Sequence, residues 1–495
     1  MVNTVWSGAS NAWAMVIAFL SVPLLLSGLG TAAFGSWVLL QTFSATNGWL
    51  SLADIGVVVT STREVAESAS RDHDDRVRRL AAAAVSVCLG LGVGAAVLLG
   101  TVGALVIPLV FRVPSDLVGE VRLSVIVVAA QVIADLVVNA VEGVFEGLHR
   151  VDRSRGIEIG RRTLVVGAAS VTAVVTGDLV STAIASAVAA WLVMGLTIVS
   201  LTRHLPGWIG RPERRDVVKL VRDGRDVALM RPLGVVRRTM DRVIAGVVLG
   251  PSAVTLVEIA SQLQAGADAV LSSSSYAVVP ASAWAGARKD PDTLAELAER
   301  GTRYSMVATL PVVVAVAMLA APVIDVWLGP EYLDAAQLTS VAVLAVGVIS
   351  TIAVGSQLLL GVGSTRVILR AALVSIGTNL VLSLVLVQLI GLVGVFVGTL
   401  ISALVEIPLL GPEVLRRAGI GGWTFLRTVV MPVVPPVLAQ VAVIALAMRF
   451  IDGSLRTLVV GGVVGGVVFL LVGLRSAVSV DELRKLRAEF RSPSA

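Results

Sequence analysis

Residues 163–202 read TLVVGAASVTAVVTGDLVSTAIASAVAAWLVMGLTIVSLT, forty residues with one charged side chain, Asp178. A single helix of that length would run about 60 Å, twice the roughly 30 Å hydrocarbon core of a bilayer. The run must therefore turn back, and Gly177-Asp178 is the only break in it. Glycine supplies the backbone freedom a reversal requires. The stretch predicts two membrane-spanning helices joined by a tight turn. Gly391-Leu-Val-Gly394 predicts a second reversal of the same kind.

The remainder of the 495 residues extends this pattern. Apolar types make up 56% of the chain and charged types only 15%, with a mean hydropathy of +0.90. Soluble domains carry about a quarter charged residues. The longest polar stretch, around 203–226, is too short to bury a core of its own. One cysteine, Cys88, excludes a disulfide framework or a cysteine-based metal site. His73, His149 and His204 lie far apart in polar segments and read as solvated loop residues. The same holds for the acidic run Asp72-His-Asp-Asp75. The first apolar run follows Met-Val-Asn-Thr with no basic residues, so it reads as a full-length helix rather than a leader.

Fourteen spans are predicted, near 5–27, 33–58, 80–110, 122–148, 160–177, 179–202, 226–249, 252–280, 304–327, 337–361, 367–390, 392–415, 427–449 and 456–475. The distribution of basic residues fixes their sidedness. Loops following even-numbered spans, with the C-terminal tail, hold 31 Lys and Arg; the opposite loops hold 4, and 4 lie inside the seventh span. Such an asymmetry predicts that both termini are cytoplasmic. It also accounts for the formal charge of +5 without nucleic acid.

An internal repeat divides the spans. Leu29-Gly30-Thr-Ala-Ala33-Phe follows the first, and Leu249-Gly250-Pro-Ser-Ala253-Val follows the seventh. Gly147-Leu-His-Arg150 ends the fourth, and Gly361-Val-Gly-Ser-Thr-Arg366 ends the tenth. The expected fold class is therefore an all-α polytopic membrane bundle of about 14 helices. It has an N-terminal six-helix lobe (1–202), a basic cytoplasmic linker (203–225) and a second six-helix lobe (226–415). Two additional helices (427–475) and a cytoplasmic tail (476–495) follow.

Ionisable residues at membrane depth are costly and mark function or buried pairing. The seventh span carries Arg231, Arg237, Arg238, Asp241 and Arg242. At 100° per residue, Arg231, Arg238 and Arg242 share one face, while Arg237 and Asp241 are i,i+4 neighbours beside it. The fourth span carries Gln131, Asp135, Asn139, Glu142 and Glu146 on one face; the second carries Ser44, Asn47, Ser51 and Asp54; the eighth carries Glu258, Gln262, Gln264 and Asp268. Two readings stand: structural ion pairs between helices, or a wet interior that meets a cargo. Arginine's planar fork of donors suits phosphate and carboxylate. On the second reading, Arg231, Arg237, Arg238, Arg242, Asp54, Asn139 and Gln262 are candidate cargo-binding residues. Asp241, Asp135, Glu142 and Glu258 are the candidates for coupling to H⁺ or Na⁺. No cofactor is expected.

The chain resembles the Wzx-type polysaccharide-biosynthesis flippases of the multidrug/oligosaccharidyl-lipid/polysaccharide exporter superfamily. The resemblance rests on five stretches. They are Leu29-Gly-Thr-Ala-Ala-Phe-Gly-Ser-Trp37 running to Leu52-Ala-Asp-Ile-Gly56, Gly143-Val-Phe-Glu-Gly-Leu-His-Arg150, Asp241-Arg-Val-Ile-Ala-Gly-Val-Val-Leu-Gly250 with Val257-Glu-Ile-Ala260, Pro322-Val-Ile-Asp-Val-Trp-Leu-Gly329, and Gly391-Leu-Val-Gly-Val-Phe-Val-Gly398. It implies two six-helix lobes around a central cavity that opens to each side in turn. The implied cargo is a polyprenyl-diphosphate-linked saccharide moved across the bacterial cytoplasmic membrane, with membrane lipids, glycosyltransferases and a polymerase of the same pathway as partners. Charged cavity residues of the family would map to Arg238, Asp241, Arg242, Asp54 and Asp135. The family's usual tyrosine in the eighth span is replaced by Val257-Glu258, and the first span offers Asn3, Ser7 and Asn11 where lipid II flippases carry an arginine pair. The first departure puts an extra acid near the implied cavity, and the second favours a polymer-repeat exporter over a lipid II flippase. A drug/cation antiporter of the same superfamily calls for an acidic or aromatic interior, whereas aromatics make up 4% of this chain. A glycan polymerase or ligase calls for a large outer loop with acid/base or nucleophile groups, and the largest loop here is basic and on the inner side.

Overall fold

In the computed structural model, residues 2–476 are described except 47, 72, 229, 230, 276 and 277; the side chains of 2–5, 7, 9, 11, 225–228 and 231 also lie outside the description. Asn47, Asp72, the face of Asn3, Ser7 and Asn11, the side chain of Arg231 and the tail 477–495 are thus outside the described residues.

The described elements are all helical. In chain order they are α1 (Val2–Leu29), α2 (Thr31–Thr42), α3 (Val57–Ala69), α4 (Asp74–Val110), α5 (Val118–Gly147), α6 (Val151–Thr176), α7 (Leu179–His204), α8 (Arg214–Ala228), α9 (Arg231–Leu249) and α10 (Pro251–Ser275). They continue with α11 (Val278–Arg288), α12 (Pro291–Trp327), α13 (Asp334–Ser350), α14 (Ala353–Gly361), α15 (Thr365–Ile390), α16 (Val393–Ala418), α17 (Gly422–Phe450) and α18 (Ser454–Ser476). Among the described residues, ten helices are long and apolar enough to cross a bilayer, or eleven if the bent pair α13–α14 is one span. The chain is a multi-pass membrane protein.

Among the described residues the expected count of fourteen is not confirmed. The difference lies in the second, seventh and eighth expected spans, three of the four that carry polar stripes; the fourth, α5, carries one and is still apolar enough to cross. The second is also not one helix. Between α2 and α3 the chain passes through Gly48, a short turn of 3-10 helix at Trp49–Leu52 and a left-handed Ile55-Gly56 pair (φ 47° and 72°). Asp54 Oδ1 accepts a hydrogen bond from the Gly56 N–H at 3.0 Å, a local contact that competes with continued helix.

The two predicted reversals are present. Gly177 (φ 67°) ends α6 and Gly391 (φ 69°) ends α15, both left-handed. The repeat also extends into backbone conformation. Left-handed residues pair at 30/250, 112/329, 149/363, 177/391 and 207/419, with offsets drifting from 220 to 212 residues. Three are glycine in both copies; at 112/329 and 149/363 the first copy has Arg112 and His149. Asp178 caps α7, its Oδ2 accepting from Ser181 N at 2.6 Å. That bond holds the Asp178 carboxyl below its usual range. The cap therefore acts above the ordinary carboxylate pKa and is lost as pH falls through the depressed one. Asp178→Ala should remove about 1 kcal/mol, read as a lower thermal midpoint of the detergent-solubilised chain at neutral pH.

Contacts divide the chain into two compact units, Met1–Glu258 and Ile259–Ala495. In the first, α5 is central. Its membrane window is 67% buried, against 17% for α15 in the second unit, and it packs on α3, α4, α6 and α7. Most of the expected linker is helical. α8 docks on α3 and α4, where the buried Glu64 takes Lys219 Nζ at 2.5 Å and Arg76 Nη2 at 3.1 Å. Gly56 and Gly224 meet backbone to backbone; a Cβ at Gly56 would lie 2.3 Å from the Gly224 carbonyl. In the second unit, α15 pairs with α16, and the α17–α18 pair packs on α12 around the buried Phe469.

Candidate functional site

The polar stripe of α5 faces a partner on α6. Gln131, Asp135, Asn139, Glu142 and Glu146 step by four, four, three and four residues, which keeps them on one side of the helix. At the centre of the contact is Arg161, with 7% of its side chain exposed. Its Nη1 donates to Asn139 Oδ1 at 2.9 Å and to Thr46 Oγ1 at 3.4 Å. It lies 3.9 Å from Asp135 Oδ1, and its Nη2 lies 3.7 Å from Glu142 Oε2. Asn139 Nδ2 donates to the Ala45 carbonyl at 3.3 Å. The break between α2 and α3 is thus stitched to α5 and α6 by Ala45 and Thr46, as a non-helical segment at membrane depth requires. Toward the other end, Gln131 Nε2 donates to Asp135 Oδ2 at 3.4 Å, and Gln131 Oε1 accepts from the Ser186 hydroxyl of α7 at 2.8 Å.

Beyond Glu142 the network continues with tighter pairs. Glu146 accepts from Arg155 at 3.1 Å and from Ser154 at 3.0 Å. Glu158 accepts from Arg155 and Arg162, each at 2.8 Å, and from Ser10 of α1 at 3.0 Å. Burying a charge is costly unless a counter-charge and hydrogen bonds compensate it. Six of the seven ionised groups here have such compensation. Glu142 is the exception: its Oε1 is buried with no hydrogen-bond partner, and its Oε2 has only the 3.7 Å contact to Arg161. Arg155 Nε and Arg162 Nε are also buried without a partner, but those guanidinium groups donate through other nitrogens.

A second ion pair lies in the same unit. Arg242 Nε of α9 meets Glu258 Oε2 of α10 at 2.7 Å, with 26% and 9% of the two side chains exposed. Both residues stand eight positions from Gly250, so the turn brings them to the same depth, about 12 Å from it. Arg237 and Arg238 are exposed. Asp241 is half-buried. Of the expected basic stripe, Arg242 is held by a glutamate and Arg238 is exposed, while the side chain of Arg231 lies outside the described residues. Asp54 is 2% exposed and serves the turn before α3. Gln262, half-buried on α10, falls in the second unit.

The structure brings Asp135, Asn139 and Glu142 together and joins Arg242 to Glu258. It adds Arg161, at the edge of the expected fifth span, which the count of basic residues groups with the preceding loop. Its signal was the seven-residue spacing from Ser154, which places both on the inner face of α6, opposite a stripe that lacked a counter-charge. Among the described residues no group of three or more His, Cys, Asp or Glu side chains could hold a metal ion. Cys88 is buried.

Residues 157–337 match the sequence profile of a family described as polysaccharide biosynthesis protein. No curated protein matches the chain. Among solved structures, one described as lipid II flippase MurJ in an inward closed conformation superposes with a TM-score of 0.72 at 12% identity, covering 96% of this chain and 100% of that one. An inward-facing multidrug resistance MATE family transporter of the MOP superfamily gives 0.67 at 15% identity, covering 82% and 94%. A MOP superfamily transporter from Pyrococcus furiosus gives 0.51 at 14% identity, covering 84% and 96%. The chain has the fold of this superfamily.

Proposed function

We propose that the protein is a flippase that moves a polyprenyl-diphosphate-linked saccharide, such as an exopolysaccharide, O-antigen or teichoic-type repeat unit, from the inner to the outer leaflet of a bacterial cytoplasmic membrane by alternating access. The observation that carries this reading is the match of 157–337 to a polysaccharide biosynthesis family, a segment that includes both Arg161 and the whole of α9. The exposed guanidinium groups of Arg237 and Arg238 are suited to a diphosphate, because each offers a rigid fork of donors. Glycosyltransferases and a polymerase of the same pathway would supply and consume the cargo. Both termini lie on the cytoplasmic side in this reading, and a reporter fused at residue 288 should report the cytoplasm.

Deleting the gene should cause lipid-linked saccharide intermediates to accumulate on the inner leaflet, measured by labelling and extraction of the lipid fraction. Unchanged intermediate levels with altered drug tolerance would instead support a drug/cation antiporter, the reading that the likeness to a multidrug transporter favours.

A further inference from the structure

We propose that the charge network between α5 and α6 is a proton-binding site, with Glu142 as the group that takes the proton and Arg161 as the residue that positions it. The network holds four carboxylates, Asp135, Glu142, Glu146 and Glu158, and three guanidinium groups, Arg155, Arg161 and Arg162. With all seven ionised it carries one negative charge in excess; its Asp135, Glu142 and Arg161 end is well covered, and its Glu146, Arg155 and Arg162 end is about a third exposed. One added proton balances it.

Geometry selects the carboxylate. Glu146 and Glu158 accept short bonds from arginine and serine, and Asp135 accepts from Gln131. Glu142 has one long contact to Arg161 and an oxygen with no partner. The charged groups acting on it are Arg161, Arg155, Glu158 and Glu146. Thr46 approaches the cluster from the α2–α3 break, Ser186 of α7 reaches it through Gln131, and Ser10 of α1 reaches it through Glu158. A metal ion fits poorly, because Arg161 Nη1 already occupies the side lined by Asn139 Oδ1 and Thr46 Oγ1.

The step is a simple transfer: a hydronium gives its proton to a Glu142 carboxylate oxygen and leaves as water. The neutral acid loses its attraction to Arg161, whose remaining partners are Asn139, Thr46 and Asp135. The hold of α6 on α5 and on the helix break thereby depends on protonation. This site does not depend on which cargo is carried, so it can fail while the flippase reading stands.

The test is an infrared pH titration of the purified full-length chain in lipid nanodiscs, over about pH 5 to 9, with net proton uptake followed in parallel. Wild type should show a protonated-carboxyl band that titrates in this window. Glu142→Gln should abolish that band and lower the net uptake by one proton per chain relative to wild type, and Arg161→Lys should shift the band's midpoint. An unchanged band in Glu142→Gln would overturn the assignment. If that variant does not accumulate, Arg161→Lys decides: a shifted midpoint supports the site and an unmoved one rejects it. A midpoint that moves with Na⁺ concentration would make the site a sodium site and reject the proton.

Discussion

Arg161→Ala should cost the protein about 3–5 kcal/mol of stability, the range for removing one partner of a buried ion pair. The guanidinium has 7% exposure and sits against Asp135 and Glu142, whose side chains are 5% and 16% exposed. Its removal takes from Asp135 and Glu142 their nearest counter-charge and deprives Asn139 Oδ1 and Thr46 Oγ1 of their donor. The expected result is a sharp loss of folded protein, read as monodisperse yield and thermal midpoint in detergent. Adding Asp135→Asn and Glu142→Gln to Arg161→Met should restore much of the loss, since a pair replaced by neutral groups of similar volume is often close to neutral in energy. A triple variant no more stable than Arg161→Ala would mean that the loss came from the hydrogen bonds to Asn139 and Thr46 and not from stranded charge.

The two halves of this cluster differ in how readable they are. The α5 stripe stands out because polar residues recur at helical spacing in an otherwise apolar segment. Arg161 does not stand out, because it is followed by Arg162 at the edge of a basic loop, where charge sorting across the bilayer explains any arginine. Only three-dimensional packing separates them: Arg162 keeps 30% of its side chain exposed and pairs locally with Glu158, while Arg161 turns inward. The turns at Gly177 and Gly391 were legible because length alone forced a reversal and glycine marked its place. The second expected span was not legible as a broken helix. Its apolar content predicts one helix, and the break depends on Gly48, on the Asp54–Gly56 contact and on tertiary partners for Ala45 and Thr46.

The same reasoning separates the arginines of α9, which sequence alone treats as equivalent. Arg237 and Arg238 are exposed, and Arg242 is largely covered in its pair with Glu258. If the exposed pair binds a diphosphate, each charge-assisted hydrogen bond lost costs about 1.5–3 kcal/mol, or roughly 10- to 100-fold in affinity. Arg238→Ala should therefore lower export by at least about tenfold at limiting cargo, and the double variant with Arg237→Ala should abolish it. Membrane insertion and abundance should stay at wild-type levels. Arg242→Ala should behave differently. It strands a Glu258 side chain that is 9% exposed, so abundance falls together with export, and Glu258→Gln in the same chain restores abundance without restoring export. The measurements are surface-exposed cargo in a leaflet-specific labelling assay and protein level by immunoblot. Normal export in the Arg237→Ala, Arg238→Ala double variant would remove these arginines from the cargo path and return α9 to a purely structural role.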